Sequence, residues 1–496
     1  MPIAFQIKLF FETNKVLEKT LKYIDELETS DRINNFINGR LWKIIRRKYA
    51  TELLIPISFY ADEFEINDPL SSHNKRHSVC GLYYSFPVIP KEYSSRIRNI
   101  FIAGRIRKVD INKMGINKLM PKIIDAFKEI EEEGIVMNLH GKQVTVKLIL
   151  SLFLGDNLAV HSFLLFSGSF SATFYCRFCK RSKYDLQTDE CLYSEYLRNE
   201  ENYQNDAQLR NQALTGIKET SIFNQLPSFN VVKNISVDLM HDLFSTGVCK
   251  YGLTAVLNYC IFKMKFASLS EVNTRKRLIS VAACDEALSR MPDLEESYLK
   301  IKKQKSVNIR TTATEMKSFC FYITFILGPF FPKNDPVWDF CRTLVNLVDF
   351  ALLPSFTEAE IEQFKQIISK HHKLYVELFE EKLKPKQHLL LHYPSVIQQC
   401  GPDPNMMCFR FEAKHREHKQ YANVISSRRN ICYTLCLKSA LQFAYDVITS
   451  SFFETPNKGD FTVTKLSNRS YYGNLLYPIP FDCELEILVS FQRNIV

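Results

Sequence analysis

The sequence predicts an α+β fold: a strand-rich core, a large helical insertion, and a short C-terminal β tail. Three observations predict it. Residues 51–156 read strand, strand, strand, helix, strand; residues 180–380 read almost wholly as helix; residues 405–447 return to helix before a strand-like end. At 496 residues the chain is too long for one simple core. Its 46% hydrophobic and 24% charged content is that of a globular protein, which excludes long disordered tracts.

Taken in order, residues 1–50 form an N-terminal helical segment. From 51 the texture changes. "LLIPISFYAD", "GLYYSFPVI" and "NIFIAGRI" are rich in β-branched and aromatic residues and read as three strands. "NKLMPKIIDAFKEIEEEGI" (117–135) is an amphipathic helix, apolar at Leu119, Ile123, Ile124, Phe127 and Ile130 and stopped by Gly134. "VTVKLILSLFLGD" follows as a long apolar strand. Three antiparallel strands, a helix and a parallel fourth strand open an RNase H-like core. Residues 51–180 are its first part, 181–380 the helical insertion, 381–450 the segment that completes the core, and 451–496 the tail.

The N-terminal "MPIAFQIKLFFETNK" is broken by Gln6 and Lys8 and does not read as a signal peptide. The 14 scattered cysteines therefore read as reduced and intracellular. No run of about twenty apolar residues predicts a membrane span. The net charge of +10 suits a polyanionic partner. "KIIRRK" (43–48) and "NTRKR" (273–277) have the form of nuclear localisation signals, and equally of solvated helix faces.

Three constellations carry chemistry. Asp62 and Asp156 each end an apolar strand-like run. On neighbouring parallel strands their carboxylates would face each other and hold Mg²⁺ or Mn²⁺, hard cations with oxygen ligands; an Asp after a strand also serves as a turn or helix cap. Next, "CRFC" places Cys176 and Cys179 at zinc-ligand spacing, and "HLLLH" places His388 and His392 four apart on one helix face. Together they supply the four ligands of a structural zinc that would staple the insertion to the core. Finally, Glu412 in "FRFEAKHREHK" lies on a helix among Lys414, His415, Arg416, His418 and Lys419. It would complete a metal-binding triad, with the cations tracking phosphates; the other reading is a solvated amphipathic helix.

"SFYADEFEINDPLSSH", "LFLGDNLAVHSFLLFSGSFSATFYCRFCK", "SVDLMHDLFSTGVCKYGL", "LKPKQHLLLHYP" and "CGPDPNMMCFRFEAKHREHKQYANVISSRRNICYTL" together resemble the transposases of CACTA (En/Spm-like, CMC superfamily) DNA transposons, animal type. The resemblance runs from about residue 50 to 450, with the blocks in the family's order. It implies a DDE triad of Asp62, Asp156 and Glu412, with Asp238 the alternative second carboxylate. It also implies a C(2)C motif at Cys176 and Cys179 and a D(2)H motif at Asp238 and His241, the latter pair holding the insertion against the core. The layout is similar to the catalytic core of the V(D)J recombinase as well: Cys176 follows Asp156 by 20 residues, and Glu412 follows His392 by 20. That parallel assigns zinc to Cys176, Cys179, His388 and His392.

The implied activity is Mg²⁺- or Mn²⁺-dependent cleavage at transposon ends and transfer of the freed 3′-hydroxyl to target DNA. Implied with it are double-stranded DNA as partner, contacts from Lys414, Arg416, Lys419, Arg428 and Arg429, a homodimer or larger assembly, and a nuclear location. The family's usual N-terminal DNA-binding module is not visible in the sequence. The alternative expectation is therefore a domesticated, catalytically silent DNA- or protein-binding factor.

Overall fold

A computed structural model describes residues 1–66, 78–94, 96–299, 309–402, 406–425, 429–450 and 452. One five-stranded mixed sheet organises it, with β1 (Leu53–Glu65), β2 (Ser78–Ser85), β3 (Phe101–Arg107), β4 (Ile135–Leu139) and β5 (Lys142–Leu154) in the order β3-β2-β1-β5-β4. β1–β2 and β2–β3 pair antiparallel, whereas β1 and β5 run parallel from Leu53 opposite Val146 to Tyr60 opposite Leu154. β5 lies inside the sheet between β1 and β4, and its second half, Leu148–Leu154, is buried on both faces, which is why it reads as a continuous apolar run rather than an alternation.

β4 was not foreseen. It pairs antiparallel with the first half of β5 through a two-residue turn at His140 and Gly141, both with positive φ. Where β4 ends, residues 234–236 take over that edge of β5. Ile235 bridges Phe153 in parallel, the Phe153 N–H donates to Asn234 O at 2.8 Å, and Ser236 N–H donates to Phe153 O at 3.3 Å. This carries the chain to Asp238 at the end of the sheet where β1 and β5 finish.

The helices include α1 (Ile3–Glu12), α2 (Val16–Glu28), α3 (Arg40–Lys48), α4 (Pro121–Glu132), α5 (Asn157–Phe163), α6 (Val248–Asn258), α7 (Ala313–Leu327), α8 (Pro336–Ala351), α9 (Glu358–Phe379), α10 (Pro385–Leu390), α11 (Tyr393–Cys400), α12 (Phe409–Asn423) and α13 (Ile431–Thr449), with further helices between them, among them Leu269–Ala282. The amphipathic run at 117–135 is divided: a single turn, Ile116–Leu119, precedes α4. The cause is Pro121, which lacks an N–H and starts a helix far better than it continues one. Gly134, at positive φ, ends the run as expected.

α4 covers one face of the sheet through Phe127 against Phe59. α12 covers the other, with Phe411 stacked on Tyr60 at 4.1 Å between ring centres, while Phe443 of α13 meets Phe101 of β3. Among the described residues of 181–380 the regular elements are all helical. Two of the long helices there, α7 and α9, start in capping boxes, Thr312 with Glu315 and Thr357 with Glu360. The β tail expected at 451–496 lies outside the described residues except for Phe452, which packs on Phe10 and Phe443. No helix among the described residues is long and apolar enough to cross a membrane.

Candidate active site and metal centre

The CxxC lies in the loop after α5, anchored by a bridge between Cys179 and Leu197. His388 sits on α10 and His392 at the start of α11, so one turn of chain delivers both imidazoles. All four side chains are buried, and their donor atoms lie within 4.8 Å of one another. Cys176 Sγ is 3.5 Å from His392 Nε2, Cys179 Sγ 3.4 Å from His388 Nε2, and the two Nε2 atoms are 3.2 Å apart. A tetrahedral ion bonded at about 2.3 Å to sulfur and about 2.0–2.1 Å to nitrogen separates its ligands by roughly 3.3–3.8 Å, so the four donors fit one ion. Burial penalises the Cys176 thiolate, but the Cys179 hydrogen bond and the charges of His392 and His388 carry its pKa well below that of an ordinary thiol. The proton of the pair stays on Cys179, held up by its bond to Cys176 and by burial. Behind the site, His372 Nε2 lies 2.7 Å from Gln387 O and fixes the turn that presents His388.

The carboxylates gather at the end of the sheet. Tyr60 and Leu154 are the last residues that pair β1 with β5; Asp62 stands two residues further along β1, still paired with Gly81 of β2, and Asp156 two residues past the end of β5. Gly155 allows this: a Cβ there would lie 2.9 Å from Ala61 O, driving the two strand ends apart. Asp62 accepts hydrogen bonds from Tyr60 Oη (3.1 Å) and Glu63 N–H (2.7 Å), and His415 Nδ1 is 3.7 Å from its Oδ2. Asp156 serves as a helix cap, accepting from Ala159 N–H at 2.6 Å at the start of α5. Glu412 is exposed in the first turn of α12, with His241 the charged group beside its carboxylate. Burial first, then the charges of Asp156 and Glu412, push the Asp62 carboxyl up to about 7. Glu412 is raised too, by burial and by Asp238 and Asp156, against the opposing charge of His241.

Asp238 and His241 join this cluster. Asp238 is fully buried and hydrogen-bonded to His241 Nδ1, while His241 Nε2 is 3.6 Å from Glu412 Oε1. Burial opposes charge on His241, but the Asp238 hydrogen bond and charge, with those of Asp156 and Glu412, bring it up to about 9. His241 lies in a π-helical turn, Met240–Ser245, a local irregularity frequent at functional sites. Cys408, just before α12, groups with Asp238 and His241. Nothing in its spacing had singled it out, since it has no partner nearby in sequence.

The cations divide. Arg416 and Lys419 are exposed on α12, as is Arg429 beyond it. Lys414 points inward and pairs with Glu417 at 2.8 Å, so it does not present a charge to a surface ligand. His415 and His418 are also buried, and burial with the nearby Arg105 charge lowers both pKa values. Arg428 lies outside the described residues. In the basic string 273–277, Arg275 holds the carbonyls of Phe325 and Ile326 and Lys276 those of Met291 and Pro292, so both serve the helical packing.

The arrangement offers a closed Cys/His site suited to one ion and a second group of close donors at Asp238, His241 and Cys408. Around the latter stand Asp62, Asp156 and Glu412, where the charges of Asp156 and Glu412 raise the Asp62 carboxyl. Compared with protein-family models and with curated proteins, the chain matches none.

Proposed function

We propose that this chain is a DDE transposase-like enzyme that cleaves and transfers DNA strands with divalent metal, built on an RNase H-like core. The observation that carries the reading is the convergence of Asp62, Asp156 and Glu412. Asp62 stands on β1 just past its pairing with β5, Asp156 just past the end of β5, and Glu412 on a helix packed across the sheet, near enough for the charges of Asp156 and Glu412 to raise the Asp62 carboxyl. Strand order and direction are compatible with the RNase H-like assignment, with residues 234–236 beside β5 in a fifth-strand position.

Asp62, Asp156 and Glu412 would hold Mg²⁺ or Mn²⁺, whose charge would offset the burial and the carboxylate repulsion that raise the Asp62 carboxyl. When bound, such a pair of ions supplies activation of the attacking oxygen and stabilisation of the leaving one. The chain's own contribution is placement. Tyr60 and Glu63 N–H aim Asp62, the α5 cap fixes Asp156, and the stacking of Phe411 on Tyr60 seats α12 with Glu412. Exposed Arg416 and Lys419 on α12 would contact the DNA backbone. The four-donor site would hold zinc, in keeping with its thiolate and imidazole ligands. A homodimer or larger assembly, working in the nucleus on double-stranded DNA, follows from the same reading.

The test is nicking of supercoiled duplex DNA in Mn²⁺ or Mg²⁺. Wild-type protein nicks and EDTA stops it, whereas Asp62→Asn nicks at least about 100-fold more slowly with its melting temperature retained or raised by roughly 2 °C. Undiminished nicking by folded Asp62→Asn would sink the proposal.

A further inference from the structure

Arg177, inside the CxxC, is a fully buried cation that makes no hydrogen bond to a carboxylate. Its guanidinium donates in two directions, from Nη1 to Asn157 Oδ1 at 2.6 Å and from Nη2 to Ser236 O at 2.8 Å. Nη1 is also 3.3 Å from His161 Nε2, and the Phe178 ring centre lies 4.6 Å from the guanidinium carbon. The destinations are informative. Asn157 directly follows Asp156, and Ser236 stands two residues before Asp238.

The path continues from Asn157. Its Nδ2 donates to Asp242 Oδ1 at 2.6 Å, and Tyr393 Oη donates to Asp242 Oδ2 at 3.0 Å. Tyr393 follows His392 in the chain. The connections thus close a ring: Cys176 to Arg177 by the backbone, then Asn157, Asp242 and Tyr393 by side chains, and His392 by the backbone again. Cys176 and His392 meet across the four-donor site. A buried charge with this many fixed partners is costly to place and stiff once placed. Only a planar fork reaches Asn157 and Ser236 together; a lysine would offer one point charge.

We infer that Arg177 is a positioning residue that couples the Cys176/Cys179/His388/His392 site to the carboxylate cluster, setting the ends of the segments that carry Asp156 and Asp238. The inference rests on the metal-binding reading of that cluster. Its role is separate from holding the first ion, because Arg177 contributes no donor atom to the four-ligand set.

The experiment compares Arg177→Met, Arg177→Lys and His161→Gln in the full chain. Zinc per chain is measured by elemental analysis, Mn²⁺ affinity by electron paramagnetic resonance, and backbone opening by hydrogen exchange. Arg177→Met and Arg177→Lys keep one zinc but lose roughly 10- to 100-fold in Mn²⁺ affinity, the usual scale for removing a group that orients metal ligands. Both open residues 157–163 and 236–245 while 385–400 stays protected. His161→Gln, which removes a ring contact of Arg177 but leaves its bonds to Asn157 and Ser236, changes Mn²⁺ affinity by less than about threefold. Loss of zinc in Arg177→Met makes the residue part of the first site and overturns the inference. Retained zinc with unchanged exchange at 157–163 and 236–245 overturns it as well. If wild-type protein binds no Mn²⁺, the proposed function fails instead, and the exchange pattern alone then decides the coupling.

Discussion

At the residue scale, the cluster holds one carboxylate more than a triad needs. Asp156 and Asp238 both reach it, by different routes. Asp156 is held by a helix cap and a parallel strand end; Asp238 is sealed in by His241, Met240 N–H and Cys408. The place of Asp156 just past β5 was legible because an apolar run ending in Asp is local information; Asp62 does not end its strand as expected, since β1 runs on to Glu65 in its pairing with β2. The convergence of Asp238 was not legible, because it depends on residues 234–236 joining an edge that β4 leaves open. Arg177 was hidden for a similar reason: a basic residue between two cysteines looks solvent-facing until its partners, 20 and 59 positions away, are in place. The two acids separate on substitution. Asp156→Asn keeps a good N-cap and loses only charge, so it melts within about 1 kcal/mol of wild type while nicking and Mn²⁺ binding collapse. Asp238→Asn strips the partner that charges His241 inside the protein, costs about 1–3 kcal/mol, and leaves part of the nicking. Thermal melts beside a nicking assay read both. A stable, inactive Asp238→Asn together with an active Asp156→Asn would move the second triad position to Asp238.

At the scale of elements, the long helices and the strands of the core follow from periodicity and composition, and the departures have local causes. Pro121 cut a continuous amphipathic pattern. The β4–β5 hairpin escaped notice because His140-Gly141 lacks the Asn or Asp that normally announces such a turn. The Cys/His site was readable as two spacings, but only the fold brings α10 and α11 against the loop after α5. That junction ties residues on both sides of the helical region, so the binding energy of an ion held there would be folding energy. Cys176→Ala or His392→Ala should release about one zinc per chain. It should also lower the melting temperature by several degrees, because the ion's contribution to folding is lost with it. Elemental analysis with a melt checks this. Zinc content equal to wild type in either variant removes the Cys₂His₂ assignment.

For the whole molecule, the net charge of +10 stated that a polyanion suits this protein, but not where it would lie. The fold sorts the α12 cations that sequence could only group together. Lys414 is committed to Glu417 inside the protein, while Arg416 and Lys419 stand exposed on the helix that carries Glu412. If the proposed DNA contacts are made there they displace counterions, and affinity should fall with salt, each phosphate contact adding about 0.9 to the logarithmic slope. Removing both exposed charges, as Arg416→Ala with Lys419→Ala, should lower that slope by roughly 1.8 and weaken binding to any duplex without altering stability. Lys414→Ala should do the reverse: the slope is unchanged, and the melting temperature falls because Glu417 loses its partner beside the packed face of α12. Fluorescence anisotropy on a short duplex at four or five salt concentrations measures the slope directly. An unaltered slope in the double variant would take α12 out of the DNA path and place the polyanion on another face. A slope that drops in Lys414→Ala would mean that this lysine leaves Glu417 when DNA binds.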